Sequence, residues 1–193
     1  MSKGQTPSQT VGPFFAYGLT PEQYGYAFRS LASADLRDPA TEGQQIRIVG
    51  QIFDGAGAVI PDAMVEIWQA DPEGRYLQPG DTGNRGFTGF GRCGTGAESG
   101  TEGEFTFTTY KPGAVDAGQA PHICVIVFMR GLLSHLYTRI YFADESAANA
   151  QDPVLGAIDP ERRATLIAEA VEPGTYRFDI HMQGERETVF FDV

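Results

Sequence analysis

Cysteine is scarce in this chain of 193 residues, which contains only Cys93 and Cys124. Two widely separated thiols do not form the dense, evenly numbered cysteine pattern of a small secreted disulfide scaffold. The N-terminal residues Met1–Gln5 also lack the apolar stretch of a secretory signal peptide. We therefore expect a cytoplasmic protein in which both thiols stay reduced.

Basic residues are also few. Lys and Arg together number 14 against 25 Asp and Glu, which gives a formal net charge of −11 at pH 7. Such a surface repels the phosphates of nucleic acids and the headgroups of an anionic membrane. The sequence also lacks any run approaching the roughly 18 consecutive apolar residues of a membrane-spanning helix. We therefore expect neither nucleic acid nor membrane as a partner.

Glycine and proline, in contrast, are abundant, with 24 Gly and 12 Pro. They separate about eight short stretches rich in β-branched and aromatic residues, with turn signals between them. This pattern predicts an all-β fold, a β-sandwich or a barrel, formed by a single domain over residues 1–193. Within it we expect an N-terminal arm with loops over residues 1–40 and the β-structure over residues 45–193.

The C-terminal part of the chain carries the clearest helix signal. One short helix is expected near residues 160–170, because Asp159 is a suitable N-cap and Pro160 a suitable first helical residue. Two later stretches, Tyr176–Met182 and Thr188–Val193, are expected to pair as a β-hairpin that closes the chain.

Two apolar stretches dominate the centre of the sequence, Ala120–Arg130 and Leu136–Phe142, and a short bend joins them. Both read as strands, and we expect the first to be buried on both faces. His122 and Cys124 share one face of this strand, and a neutral imidazole and a thiolate can both bind a metal. The alternative is a hydrogen-bonded imidazole in the core beside a thiol that packs as a small apolar group.

Three other side chains could carry chemistry. Tyr76 follows the predicted strand around Trp68, and its phenolate could bind ferric iron, or its ring could simply pack with the hydroxyl in water. Arg130 ends an apolar strand and could pair with a carboxylate, or it could bury its stem and expose its head. Arg139 stands among apolar neighbours on the second strand and allows the same two interpretations.

The N-terminal segment is neither a helix nor a regular strand, because prolines and a glycine interrupt it up to Phe14 and Phe15. Leaving these two side chains in water would cost roughly 1.5–3 kcal/mol each. We therefore expect an extended arm that packs on this domain or on a partner.

Five phrases in a fixed order give the chain a family resemblance. They are Thr6–Pro13, Val65–Asp71, Lys111–Gly113, Ala120–His122 continuing to Arg139–Phe142, and Tyr176–Ile180. Each phrase alone is weak, but together, over nearly the whole chain, they resemble the intradiol ring-cleaving dioxygenases. The resemblance implies a β-sandwich core, as well as a non-haem Fe(III) that is held by two tyrosines and two histidines and binds a catechol.

The family's four iron ligands fall on positions that this chain only partly preserves. The first tyrosine and the first histidine match Tyr76 and His122. The second tyrosine position carries Val115, and the second histidine position carries Cys124. The resemblance therefore implies that this chain binds no catalytic iron of its own and that Tyr76 and His122 are vestigial or structural.

The resemblance is strongest to the alpha-type chains of the family, which pair with a homologous iron-binding beta chain. It implies a pocket at the interface, to which this chain contributes Arg130 together with Thr10, Gly12 and Pro13 of the arm. The substrate would then be a catechol that carries a carboxylate. Two alternatives stay open: a self-sufficient iron dioxygenase that uses a nearby ligand such as Tyr110, and a β-sandwich binding module without catalytic association.

Overall fold

Nine strands form the body of the protein in the computed structural model, which describes residues 4–77, 87–96, 103–115 and 118–192. The strands are β1 (Gln45–Phe53), β2 (Met64–Gln69), β3 (Phe90–Gly94), β4 (Glu104–Tyr110), β5 (His122–Phe128), β6 (Leu136–Phe142), β7 (Ile167–Glu172), β8 (Thr175–Arg177) and β9 (Ile180–His181). The short helices are α1 (Phe15–Leu19), α2 (Ser146–Asn149) and α3 (Pro153–Ala157). Short 3-10 helices span Pro21–Tyr24, Ala143–Glu145 and Arg163–Leu166.

The strands form a sheet that folds back on itself in the order β3-β2-β5-β6-β7-β8-β1-β4, with β9 beside the end of β1. β3, β2, β5 and β6 pair antiparallel, whereas β7 runs parallel to β6 and antiparallel to β8. The two ends of this order meet again, because the Thr106 amide donates to the Cys93 sulfur of β3 over 3.5 Å. The sheet is therefore nearly closed, with β7 passing between two facing layers.

The main core lies between these layers. Its fully buried side chains come from both of them and include Ile48, Ile52, Val65, Ile67, Phe105, Phe107, Ile123, Val125, Val127 and Ile140. The core-facing residues of β5 are two apart, as the alternation of side chains along a strand requires. The predicted all-β fold is confirmed.

The second face of β5 is less covered than expected. His122 is buried on it, but Cys124, Ile126 and Phe128 are only half-buried. This face points away from the opposite layer, so only loops and side chains cover it. Complete burial of both faces was therefore a wrong expectation.

The helix expected near residues 160–170 is present only as the short 3-10 helix Arg163–Leu166. Asp159 caps only a turn, in which its side chain accepts from the Glu161 amide over 3.2 Å, and the chain then enters β7. Leu166, the last residue of the 3-10 helix, and Ala168 of β7 are both fully buried. Pairing with both β6 and β8 outweighs the modest helix preference of these residues.

The same Asp–Pro signal begins a real helix elsewhere. Asp152 caps α3, since its carboxylate accepts from the amides of Val154 and Leu155, and Pro153 is the first helical residue. Asp152 is also 2% exposed, so this cap is part of the interior.

The expected C-terminal hairpin forms only in part. The strand breaks between β8 and β9, where the Asp179 carboxylate accepts from the Gln51 amide over 3.0 Å in place of a ladder bond. The segment after it does not form a strand in the described residues. Its Thr188 amide donates to the His181 carbonyl at 2.9 Å, and the Phe191 amide then donates to the Tyr137 carbonyl of β6 at 2.8 Å.

The N-terminal segment is extended up to α1, and its packing on a partner stays a prediction. Residues 4–13 have no regular structure and are mostly exposed, up to α1. Further along, backbone bonds from Leu36 and Thr108 attach the segment to β4 at 2.9 Å each. No helix in the described part of the chain has the length and apolar character needed to cross a bilayer.

Candidate functional site

His122 opens β5 and is 2% exposed. Its Nδ1 lies 2.8 Å from the Ala120 carbonyl oxygen, which can only accept a hydrogen bond, so the ring proton is on Nδ1. Nε2 is then the acceptor, and the Tyr76 hydroxyl donates to it over 3.2 Å. Burial lowers the pKa of His122, which favours a neutral imidazole.

A tight turn after β2 places Tyr76. The buried Asp71 carboxylate accepts from the Glu73 and Arg75 amides at 2.9 Å each and from the Arg75 guanidinium at 2.8 Å. Gly74 adopts a left-handed backbone with φ of 82° inside this turn. The chain therefore leaves the turn in one direction, and the Tyr76 hydroxyl reaches His122.

Arg139 lies directly opposite Cys124 in the β5–β6 register. Its Nη1 donates to Gln119 Oε1 at 2.8 Å and to the Tyr141 hydroxyl at 3.3 Å. Both the guanidinium and the Tyr76 hydroxyl are also within hydrogen-bond reach of the Cys124 sulfur. Burial raises the pKa of the Cys124 thiol, although the Arg139 charge opposes this shift. The structure thus places a positive charge inside the cluster.

A buried hydrogen-bond network supports Arg139 through Tyr141. The Tyr141 hydroxyl donates to Asp152 at 3.3 Å, and the same carboxylate accepts from the Ala120 amide at 2.8 Å. Burial raises the pKa of Tyr141 to about 12. Asp152 therefore fixes both the backbone before His122 and the phenol that contacts Arg139.

Val115, which occupies the remaining ligand position, also lies near the cluster of Tyr76, His122 and Cys124. Val115 forms an isolated bridge with Gln119, and the Gly113 amide just before it donates to the Asp71 carbonyl at 2.9 Å. The four positions implied by the family resemblance therefore gather on neighbouring segments. Tyr110, the alternative ligand, points elsewhere, since its hydroxyl donates to the Asp38 carbonyl at 2.7 Å.

These residues do not fit ferric iron. Iron(III) is a hard cation that prefers anionic oxygen and imidazole, whereas Val115 has no donor atom and Cys124 offers sulfur. Burial raises the pKa of Tyr76, and its proton is engaged with His122, so phenolate is disfavoured. Arg139 adds a like charge. Among residues 4–77, 87–96, 103–115 and 118–192, no group of three or more His, Cys, Asp or Glu side chains could hold a metal.

A second group of predicted residues lies at the other end of β5. Arg130 follows this strand, and its Nε donates to Asp62 Oδ2 at 2.5 Å. The next amide, of Gly131, donates to Thr10 Oγ1 at 2.8 Å, so the arm is attached beside the arginine. Gly12 and Pro13 are exposed along the same arm.

The group around His122 and the group around Arg130 do not share one site in this chain. Arg130 is eight residues beyond His122, which is roughly 25 Å along an extended strand. The structure thus brings Tyr76, His122 and Cys124 together, and separately brings Thr10 to Arg130. The roles of these residues stay predictions.

Sequence reasoning did not find three residues that the structure places in these groups. Gln119 accepts directly from Arg139, and Asp152 accepts from Tyr141, whose hydroxyl contacts Arg139. Asp62 binds Arg130. The hairpin register could have identified Arg139 as the neighbour of Cys124. No local signal marks Asp62, and the Asp–Pro signal at Asp152 predicts a helix cap but not its bonds to Ala120 and Tyr141.

Comparison with known proteins identifies the family. The dioxygenase family model matches residues 27–184. A protocatechuate 3,4-dioxygenase alpha chain from Burkholderia cepacia is 53% identical over 194 residues, covering 98% of each chain. The chain belongs to the intradiol dioxygenase family. The family implies a non-haem iron enzyme, and the family resemblance inferred from the sequence is confirmed.

A further sequence relative belongs to the same family, and a solved structure shares the fold. The protocatechuate 3,4-dioxygenase beta chain of Burkholderia cepacia is 32% identical over 163 residues, covering 76% of this chain and 67% of that one. A solved dioxygenase domain from a Streptomyces dioxygenase–carbohydrate-binding fusion superposes with a TM-score of 0.60 at 24% identity. It covers 95% of this chain and 100% of that domain. The structural likeness supports the fold, and the sequence relatives support the alpha-type assignment.

Proposed function

We propose that this chain is the alpha, non-iron subunit of a protocatechuate 3,4-dioxygenase. This enzyme of aromatic catabolism, in the β-ketoadipate pathway, uses O2 to open the ring of 3,4-dihydroxybenzoate between its two hydroxylated carbons. Both oxygen atoms enter the product, 3-carboxy-cis,cis-muconate. The 53% identity to an alpha chain of that name, over almost the full length of both chains, supports this assignment.

The partner is a homologous beta chain, and the Fe(III) of the complex is bound by that chain. Two observations support this division. The ligand positions of this chain hold a valine and a thiol beside the Arg139 guanidinium, a donor set that does not suit ferric iron. A beta chain is also 32% identical to this chain, as expected for two subunits that diverged from one iron-binding ancestor.

The observation that carries the proposal is the separation along β5. Arg130 lies roughly 25 Å from His122 along an extended strand, and the Gly131 amide beside it binds Thr10. A pocket wall made from Arg130 and the arm residues Thr10, Gly12 and Pro13 would therefore complete a site on another subunit.

Arg130 is suited to bind the substrate carboxylate. It is exposed, with 57% of its side chain accessible, and its guanidinium can present two parallel donors to a carboxylate. A charge-assisted hydrogen bond of this kind contributes about 1.5–3 kcal/mol. Thr10 holds the arm beside it, so Gly12 and Pro13 can line the same wall. The chain thus contributes substrate binding and charge, while the chemistry takes place on the partner's iron.

Co-expression with the beta chain tests the proposal. We expect ring cleavage only from the complex, and Arg130→Ala should lower kcat/KM for protocatechuate by about 10- to 100-fold without changing the iron content. Arg37→Ala is the matched control, because Arg37 is another exposed arginine paired with an aspartate. The proposal fails if the isolated chain opens protocatechuate unaided, or if it carries tightly bound ferric iron with a tyrosinate colour.

A further inference from the structure

Asp62 is the carboxylate that engages Arg130. It lies just before β2, and 35% of its side chain is accessible. Both Nε and Nη2 of Arg130 donate to the same oxygen, Oδ2. The contact therefore uses one edge of the guanidinium and leaves Nη1 outside the pair.

This geometry fixes the orientation of the arginine. The guanidinium is planar, with five N–H groups in a rigid fork, so a bond along its Nε edge sets the direction of the opposite edge. The backbone beside it is also held, because the Gly131 amide donates to Thr10 and Gly131 has a left-handed φ of 95°. Side chain and arm are thus attached to the same short segment.

We propose that Asp62 is a positioning residue that turns the free Nη1 edge of Arg130 toward the carboxylate of an anionic aromatic substrate. The inference rests on the proposed function, since it assumes that Arg130 meets the substrate carboxylate at the subunit interface.

Two effects of Asp62 on an anionic substrate oppose each other. Its charge repels the substrate carboxylate, but at a partly exposed site this repulsion is screened by solvent and salt. Its hydrogen bonds hold a long side chain in one rotamer before the substrate arrives, which removes an ordering cost from binding. Because the pair is exposed, we expect preorganisation to outweigh repulsion and Asp62 to favour the carboxylated substrate.

The test compares protocatechuate with catechol, which has the same reacting hydroxyls but no carboxylate, in the assembled enzyme. Asp62→Ala should lower the ratio of kcat/KM for protocatechuate to that for catechol by about three- to tenfold, mainly through KM. Asp62→Asn keeps an acceptor oxygen and should lower the ratio by less than half as much as Asp62→Ala. Asp35→Ala, which breaks the exposed Asp35–Arg37 pair, is the control and should leave the ratio unchanged.

The outcomes separate this inference from the proposed function. If Arg130→Ala lowers the ratio but Asp62→Ala leaves it unchanged or raises it, the positioning role is wrong and the proposed function stands. If Arg130→Ala also leaves the ratio unchanged, the substrate contact itself is wrong. A subunit composition and iron content equal to those of the unaltered complex show that each variant assembles, and Asp62→Asn is used for the comparison if Asp62→Ala does not assemble.

Discussion

Arg139 is expected to exclude a metal from this chain even when the missing ligands are restored. Val115→Tyr and Cys124→His return the two donors that the family pattern implies. Arg139 lies directly opposite Cys124 in the β5–β6 register, so we take a cation bound there with Tyr76 to lie roughly 5 Å from a full positive charge. The decisive comparison is this double variant with and without Arg139→Gln.

The size of the effect follows from this distance. Two unit charges 5 Å apart repel by roughly 3 kcal/mol at an effective dielectric constant of about 20. A trivalent ion would feel more, but the arginine is half-buried and can turn partly toward water. We therefore take about 3 kcal/mol as the working value, which corresponds to roughly a hundredfold change in affinity.

The assay is competitive chelation of ferric ion, followed by the visible tyrosinate-to-iron absorption. We predict weak binding by the Val115→Tyr, Cys124→His variant and about hundredfold tighter binding once Arg139→Gln is added. Arg139→Lys keeps the charge and should leave binding weak. Equal affinity with and without the arginine would refute the electrostatic reasoning.

Three further changes test the packing and the titration of the fold. Tyr76→Phe removes the donor to His122 Nε2 and should destabilise the chain by about 1–3 kcal/mol in urea unfolding while the complex stays active; a tenfold loss of activity would contradict a purely structural Tyr76. Burial lowers the pKa of His122 and His181 below the ordinary 6.5, so both stay neutral when folded and accept protons more readily when unfolded. The contribution of the two neutral imidazoles to the free energy of unfolding should be fully present above pH 6.5 and should decrease as the pH falls below that value. The decrease should be smaller in His122→Gln. A chain that becomes more stable on acidification would contradict this prediction. Gly50→Ala would place a Cβ atom 1.9 Å from a backbone carbonyl oxygen and should cost about 3 kcal/mol or more, whereas Gly18→Ala, with nothing within 4 Å, should stay within about 0.5 kcal/mol; similar unfolding midpoints for the two would be the contrary result.

The β5–β6 hairpin shows what local pattern can predict. Its two apolar stretches are rich in β-branched residues and separated by a short bend, so strand type and antiparallel pairing follow from the sequence. Side-chain alternation then places His122 and Cys124 on one face. The family resemblance supplied Tyr76, which local pattern alone cannot bring to this face.

β7 shows where local pattern fails. Its residues are good helix formers preceded by an Asp–Pro pair, and helix propensity alone favours the wrong structure. One neighbouring strand, β8, follows β7 after a two-residue turn, whereas the other, β6, pairs with it across 26 positions of sequence. Pairing with a strand that distant leaves little trace in the composition of β7 itself.

The residues that support the candidate groups are the least predictable. Asp152 binds the Ala120 amide and the Tyr141 hydroxyl, and Asp62 binds Arg130 across 68 positions of sequence. An aspartate near a proline reads equally well as a turn, a cap or a surface charge. Only the packed structure distinguishes these roles.

Iron stoichiometry tests the division of labour between the two chains most directly. Native mass spectrometry of the co-expressed complex, followed by dissociation into its subunits, would count the iron and locate the chain that holds it. We predict one iron for each alpha–beta pair, retained by the beta chain, and none on the 193-residue chain. An iron retained by this chain, or two irons for each pair, would contradict a pocket in which one subunit supplies the metal and the other the wall.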